Sequence, residues 1–401
     1  MNDILEGLLS YVSNYPGRIP KAELDRRWDE IQKGATKEAV LREIEKRFTE
    51  ALKTLGPNLV SADETKEQKQ QQAQQVELLA LGKELRKEVD KLFLEYDLLC
   101  KIEYLSIKPE IQKEFQKSAR ARNQQPIEFY KRLRPYYYRA GFTAPKILND
   151  IKSIKFLGSD LMVHVEMEKI LKRAEQIVND LPREVKLEVY SKVHTILGLQ
   201  LRPIAGKETL SLHALGLAID IDPGSNPQVI GKVAKAINDI LDSMPSEMVP
   251  DKVSQGHVED SNIKRDLSIT SEERLLQAYE KLLSTSQDIQ AFLEQKTNDL
   301  ELLDDWEQTY LSKKDDPKLG NQPYALLGNL IVAFGGGNKE SQIKNGIRKI
   351  KAVKENGLVT IPLELFNALN KSNATSGIEW HTQKDIMHFE TTVPSTFKQS
   401  K

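Results

Sequence analysis

The stretch 211-SLHALGLAID-220 places a histidine and an aspartate seven residues apart, with a glycine between them. From Leu217 onward, apolar residues alternate with small or acidic ones, which predicts a strand that turns Asp220 away from the core. Gly216 would let the preceding loop turn back, so that His213 and Asp220 converge. Two interpretations are open at this point. The stretch is either an ordinary core strand with two polar residues, or half of a metal site whose other ligands lie far away in the sequence.

A second stretch near the C-terminal end, 377-GIEWHTQKDIMHFE-390, supplies the missing half of such a site. The alternation at its end predicts a strand that presents His388 on an open face. Zinc accepts imidazole nitrogen and carboxylate oxygen, and a catalytic zinc keeps three protein ligands and one open position. His213, Asp220 and His388 supply such a set of ligands.

Two carboxylates flank the histidine of the second stretch. Asp385 lies three residues before His388, at the edge of the same predicted face. There it would act as a general base that takes a proton from water beside the metal. Glu390 lies two residues after His388 and would steady its imidazole as an outer partner.

Both stretches resemble the motifs of one family of zinc peptidases. SLHALGLAID fits the pattern Ser-x-His-x-x-Gly-x-Ala-x-Asp, and DIMHFE fits Asp-x-x-His-Phe-Glu. Together they look like the zinc D-alanyl-D-alanine carboxypeptidases and the L-alanyl-D-glutamate endopeptidases of phage endolysins. In that family the first motif gives two zinc ligands, and the second gives the third ligand and the base. By position, the resemblance assigns these roles to His213, Asp220, His388 and Asp385.

The same resemblance suggests where a substrate would bind. LQLRPIAG is similar to the Arg-containing strand of the family, which makes Arg202 a candidate for pairing with a substrate carboxylate or holding a developing oxyanion. Ser211 would fix the loop or contact substrate. SGIEW resembles the Gly-Gly-Asp-Trp segment of the family: Gly377 and Trp380 match, with Trp380 as a substrate contact, whereas Ile378 departs from the pattern.

The resemblance covers about 160–265 and 325–395, and it implies an α+β fold with an antiparallel sheet. It leaves the first part of the chain unexplained. The helical periodicity there predicts a mostly α-helical region over 1–155, for targeting or packing, ahead of a zinc peptidase domain over 156–401. Apolar spacing also predicts a helical insertion at about 266–320, which makes the gap between the two motifs much longer than in compact members of the family.

Composition limits the classes of protein that fit this chain. Its 401 residues include 58 Lys and Arg and 59 Asp and Glu, so no global charge favours nucleic acid. Cys100 is the only cysteine, which rules out an internal disulfide and a Cys-based zinc site. The stretch 129-FYKRLRPYYYRAG-141 mixes bases with aromatics; it fits either a packing face or a nucleic-acid clamp, and near-neutrality favours packing.

No apolar run is long enough for a membrane span, and the first residues lack the basic start of a signal peptide. The sequence therefore predicts a chain made in the cytoplasm that reaches the bacterial cell wall by a route other than general secretion. Its expected activity is that of a Zn²⁺-dependent metallopeptidase, which cleaves amide bonds in peptidoglycan stem peptides or crosslinks as a delivered lysin. The alternative is a structural or cargo component of a phage tail or contractile injection particle that retains the zinc-binding fold.

Overall fold

The computed structural model of the chain describes residues 19, 21–54, 66–204, 207–229, 231–235, 271–295, 324–335, 337, 339–379 and 384–392. Trp380 lies outside the described residues, as does the second half of the predicted insertion beyond Gln295. Among the helices that are described, none has the length and apolar character needed to cross a membrane.

Helices dominate the described residues. In chain order they are α1 (Lys21–Gln32), α2 (Lys37–Thr54), α3 (Lys66–Ser106), α4 (Pro109–Arg120), α5 (Pro126–Arg139), α6 (Ala144–Leu148), α7 (Val165–Asn179), α8 (Arg183–Lys192), α9 (Ser271–Gln295), α10 (Tyr324–Gly335), α11 (Glu340–Asn356) and α12 (Leu363–Lys371). The strands are short: β1 (Ile151–Phe156), β2 (Ser159–His164), β3 (Ile196–Leu197), β4 (Ala218–Ile221), β5 (Gln228–Val229), β6 (Thr375–Ser376), β7 (Lys384–Asp385) and β8 (His388–Glu390). All of the strand pairs are antiparallel, so the fold mixes helices with small antiparallel sheets.

The chain divides into two compact units. One, called here the helical unit, comprises 1–149, 201–211 and 394–401, and the other, the sheet unit, comprises 150–200 and 212–393. Strand β1 begins at Ile151, ahead of the boundary at residue 156 that the sequence suggests, and pairs along its whole length with β2. The helices α1 to α6 belong to the helical unit, whereas all eight strands belong to the sheet unit.

Helix α5 carries the stretch that mixes bases with aromatics. Phe129, Tyr130 and Tyr137 are buried in the helical unit, and the guanidinium of Arg134 contacts the Glu103 carboxylate, with 3.0 Å between Nη2 and Oε1. These rings therefore serve as packing surface within this unit.

The four-stranded sheet has the order β3-β4-β8-β6, and its register determines which side chains meet. Asp220 of β4 lies directly opposite His388 of β8, and Ile219 lies opposite Phe389. Because side chains alternate along a strand, the apolar pair faces one side of the sheet and the polar pair faces the other. On the apolar side, Phe389 packs edge-on against Phe366 of α12 with ring centroids 5.7 Å apart, which fixes the sheet on its helices.

Shorter apolar pieces of the sequence between the first amphipathic helix of this unit and the first motif, KLEVYSKV and GLQLRPI, also predict strands, and both predictions are wrong. KLEVYSKV, which looks like a strand, lies mostly in α8, where Val189 is the only buried residue and Leu187 is 57% exposed. The apolar residues of this segment therefore do not form the buried face of a strand. GLQLRPI forms no continuous strand either; β3 ends at Leu197 and is followed by irregular chain, with one isolated bridge at Pro203. The strand predictions for the two motif regions are confirmed, since β4 and β8 lie within them.

Candidate metal centre

Three local structures bring the predicted ligands together. His213 lies in a 3₁₀ turn over Leu212–Leu215, Asp220 in β4 and His388 in β8. Gly216 ends the turn with a φ of +66°, a left-handed conformation that glycine adopts without strain. A Cβ on Gly216 would also lie 2.7 Å from the backbone nitrogen of His164. Glycine is therefore required for the turn that carries His213 back to β4.

The three side chains present one compact triangle of atoms. Nε2 of His213 lies 3.0 Å from Oδ1 of Asp220 and 3.2 Å from Nδ1 of His388, and that Nδ1 lies 3.1 Å from the same Oδ1. Ligand atoms about 2.0 Å from a tetrahedral zinc lie about 3.3 Å from one another. The triangle therefore has close to the size that a tetrahedral metal requires, and its three residues could together hold an ion.

Each histidine has one ring nitrogen in the triangle, called here the inner nitrogen, and one that points away from it. The hydrogen bond of the nitrogen that points away determines the tautomer of each neutral imidazole. Nδ1 of His213 lies 2.9 Å from the carbonyl oxygen of Gly198, and Nε2 of His388 lies 2.9 Å from Oε2 of Glu390. Both oxygens only accept, so each of these ring nitrogens carries a proton. In the neutral imidazoles, the inner nitrogens then have lone pairs. Two lone pairs and a carboxylate oxygen consequently point at one another, an arrangement that only a cation stabilises.

The pKa values of the cluster point to the same requirement for positive charge. Burial raises the pKa of Asp220, but its close contacts with the rings of His213 and His388 outweigh burial and hold that pKa well below its usual range. Burial lowers the pKa of His388, but the carboxylates of Asp220 and Glu390 outweigh it and raise that pKa to about 9. A cation at the centre, whether a proton or a metal, is therefore favoured.

Asp385 lies beside the triangle in β7. The strand pairs with β5, and Nε2 of Gln228 donates a 3.3 Å hydrogen bond to Oδ2 of Asp385. Asp385 is buried, and its negative charge is among the causes that raise the pKa of His388. The structure thus brings the predicted base close to the predicted metal ligands, with an amide that orients its carboxylate.

The backbone of Gly377 lies against both Asp385 and His388. A Cβ at this position would lie 2.8 Å from Cβ of Asp385 and 3.1 Å from Cβ of His388. The backbone of residue 377 therefore passes against both side chains, and any larger residue must displace them.

Gly377→Ala should consequently disturb the cluster. We expect a loss of roughly 1–3 kcal/mol in the free energy of unfolding, because the added methyl overlaps backbone and Cβ atoms that cannot rotate away, together with weaker metal binding. Thermal unfolding and metal titration would measure both effects. Gly224→Ala is the matched control, because a Cβ there meets no atom within 4 Å. Equal behaviour of the two variants would contradict the packing described for Gly377.

Sequence reasoning missed three groups at this site. The carbonyl of Gly198 fixes the ring of His213, and Nε2 of Gln200 lies 3.3 Å from Oδ2 of Asp220, the oxygen that the triangle does not use. Lys349 of α11 is half-buried, and burial lowers its pKa while the Asp385 carboxylate acts in the opposite direction. A backbone carbonyl has no sequence signature, and the motifs contain no lysine that could have indicated Lys349.

Two residues that the sequence predicts to bind substrate do not belong to the sheet unit. Arg202 and Ser211 belong to the segment 201–211, which clusters with the helical unit; Arg202 is half-buried and Ser211 is buried. Within this segment the backbone nitrogen of Ile204 donates to Thr209 O at 2.9 Å. The roles of Arg202 and Ser211 in substrate binding stay predictions.

Glu390 offers a direct test of how the outer hydrogen bonds support the triangle. Glu390→Ala removes the acceptor that holds the proton on Nε2 of His388, so the ring can rotate or present the wrong nitrogen. We expect metal affinity to fall about 10- to 100-fold, measured by competition with a chromophoric chelator. Glu390→Gln retains an acceptor oxygen and should lose less. A larger loss in Glu390→Gln than in Glu390→Ala would contradict this role.

Comparison of the chain with protein-family models, with curated proteins and with solved structures finds no match in any of the three.

Proposed function

We propose that this chain is a zinc-dependent peptidase. The observation that carries the proposal is the meeting of three electron-pair donors, from His213, Asp220 and His388, whose outer hydrogen bonds leave no proton between them in the neutral state. The carboxylate of Asp385 beside this triangle supports a hydrolytic role, because a site that only binds a metal needs no base.

The chemistry of the donors favours zinc. Two imidazole nitrogens and one carboxylate oxygen form the three-ligand set typical of catalytic zinc sites, which keep a further position open. Harder ions such as Mg²⁺ and Ca²⁺ prefer sets made of oxygen atoms. When bound, zinc would polarise a carbonyl group and make a nearby water more acidic.

The protein side chains would then divide the remaining work. Asp385 takes a proton from the attacking water and passes it to the leaving amine, while Gln228 keeps its carboxylate oriented through Oδ2. Glu390 and the Gly198 carbonyl keep both rings in the tautomers that present their inner nitrogens. In this proposal Glu390 and Gly198 orient the ligands, whereas Asp385 handles the proton.

The substrate class follows from the resemblance of the two motifs to peptidoglycan peptidases. We propose an amide bond in a peptidoglycan stem peptide or crosslink as the bond that is cleaved, with the chain reaching the cell wall through a phage-type or injection-type delivery system. The two motifs, in their order and with their internal spacing, support this substrate class.

Digestion of purified peptidoglycan tests the proposal. The zinc-loaded chain should release fragments that mass spectrometry assigns to one type of amide bond, and removal of zinc by a chelator should abolish the release until zinc is restored. Zinc-loaded protein that leaves crosslinked, uncrosslinked and pentapeptide-containing material intact would contradict the proposed substrate. Such a result would favour a structural role in a particle.

A further inference from the structure

A cavity of about 210 Å³ lies in the sheet unit, and none of the residues that line it belongs to the triangle. Its walls come from α7, from the turn that follows α12, and from Thr391, the residue after β8. Side chains alternate along β8, so His388 and Glu390 face the triangle, whereas Phe389 faces the helices. Thr391 directly follows β8 and lines the cavity together with residues of α7. The cavity is consequently a separate site on the helical side of the sheet, and the proposed peptidase chemistry does not use it.

The charged wall of the cavity comes from one face of α7. Glu166, Lys169 and Arg173 follow one another at helical spacing, with the apolar Ile170 among them. Nζ of Lys169 lies 2.8 Å from Oε1 of Glu166, so these two charges compensate each other. Arg173 is exposed, and its guanidinium makes no hydrogen bond or ion pair with any residue that the structure describes. The cavity wall therefore has one uncompensated positive charge.

One of the residues that line the cavity has a buried hydroxyl. Ser372 is 1% exposed, and its Oγ has no hydrogen-bond partner among the described residues. It lies at the end of α12, where its backbone nitrogen donates to Ala368 O and Leu369 O, and the chain then turns through Asn373 with a φ of +69°. A buried hydroxyl without a partner destabilises a protein, so a hydrogen-bonding group in the cavity would be favoured at this position.

We propose that this cavity binds a small organic molecule through its carboxylate group. A guanidinium presents its donors in a plane that matches a carboxylate, and the single uncompensated charge of Arg173 matches the single charge of that group. The Ser372 hydroxyl supplies a further donor, and Ile170 supplies an apolar surface. A water molecule takes about 30 Å³ in the liquid, so the cavity has room for a ligand about the size of an amino acid or a hydroxy acid.

Lactate is a suitable probe, because it is a monoanion of this size. Equilibrium dialysis of the full chain with radiolabelled lactate should show saturable binding, and Arg173→Gln should bind one lactate fewer per chain or bind it about 10- to 100-fold more weakly. Ser372→Ala should weaken binding by a smaller factor. Lys172→Gln is the matched control: it changes the same charge on the same helix but lies outside the cavity, and it should bind like the unmodified chain.

Three outcomes would overturn the proposal: no saturable binding of lactate, equal binding by Arg173→Gln and the unmodified chain, or inorganic phosphate that displaces lactate and binds more tightly. The readout is independent of peptidase activity. Lactate that binds to a zinc ion in the triangle would bind both to the Arg173→Gln variant and to the unmodified chain. It would therefore not change the difference in lactate binding between the two. A chain that fails to hydrolyse peptidoglycan could still show the difference, and an active one could lack it.

Discussion

Purified without chelators, the chain should carry one zinc ion per molecule, and His213→Ala and His388→Ala should each lose most of it. Each substitution removes one of three ligands and leaves two donors, which is too few for a tight site. The loss should therefore exceed the 10- to 100-fold effect expected for an outer partner such as Glu390. Elemental analysis after exhaustive dialysis would measure the zinc content.

His194→Ala is a matched control for these variants. His194 is exposed, and its backbone nitrogen donates to the carboxylate of Asp222, so the same substitution there leaves the triangle intact. Zinc should also raise the unfolding temperature of the unmodified chain, because binding at 100 times the dissociation constant stabilises a fold by about 2.7 kcal/mol. An unmodified chain that contains no zinc, and takes up none when zinc is added, would rule out the site.

Asp385→Ala should retain zinc and lose hydrolysis. In the proposed mechanism the carboxylate acts on water, and it is not one of the three atoms of the triangle, so its removal leaves the candidate ligand set complete. Removing a general base typically lowers the rate by about 10² to 10⁴-fold. The measurement pairs zinc content with the release of peptidoglycan fragments by the same preparation.

Asp385→Asn refines this experiment, since it preserves the shape of the side chain and removes only its capacity to accept a proton. It should be nearly as inactive as Asp385→Ala and at least as stable. Gln228→Ala should have a milder effect, because it releases the carboxylate from its 3.3 Å hydrogen bond without removing it. If Asp385→Ala lost zinc as completely as His388→Ala, the base would be a ligand and the two roles would be wrongly assigned.

The side of the strand that carries Asp220, and the turn that returns His213 to it, could be predicted from the sequence because strand alternation and one glycine determine them. Leu217, Ile219 and Ile221 fill the core side of the strand, which leaves Asp220 on the other side, and Gly216 returns the chain to it. What could not be predicted is the register that places Asp220 opposite His388, since it depends on pairing between distant segments.

Local patterns failed where tertiary contacts decide the structure. The segment with Val189 and Leu187 resembles a strand in composition, yet it forms a helix that buries only Val189. The segment after β3 lacks regular structure, and its backbone contacts other elements instead: Leu199 N donates to Met162 O at 2.9 Å, and Gly198 O accepts from His213. Contacts of this kind use the peptide group, which every residue has, so they leave no trace in the sequence.

The pairing of Asp220 with His388 has a topological consequence. These residues are 168 positions apart in the chain, yet they lie on neighbouring strands, with Nδ1 of His388 3.1 Å from Oδ1 of Asp220. A metal held by both would act as a reversible crosslink that closes the intervening chain into a single large loop. The entropy of closing such a loop grows only with the logarithm of its length, by about 0.6 kcal/mol for each doubling. Evolution could therefore lengthen or shorten the chain between the two ligands, by whole helices, at little cost to the affinity for the metal.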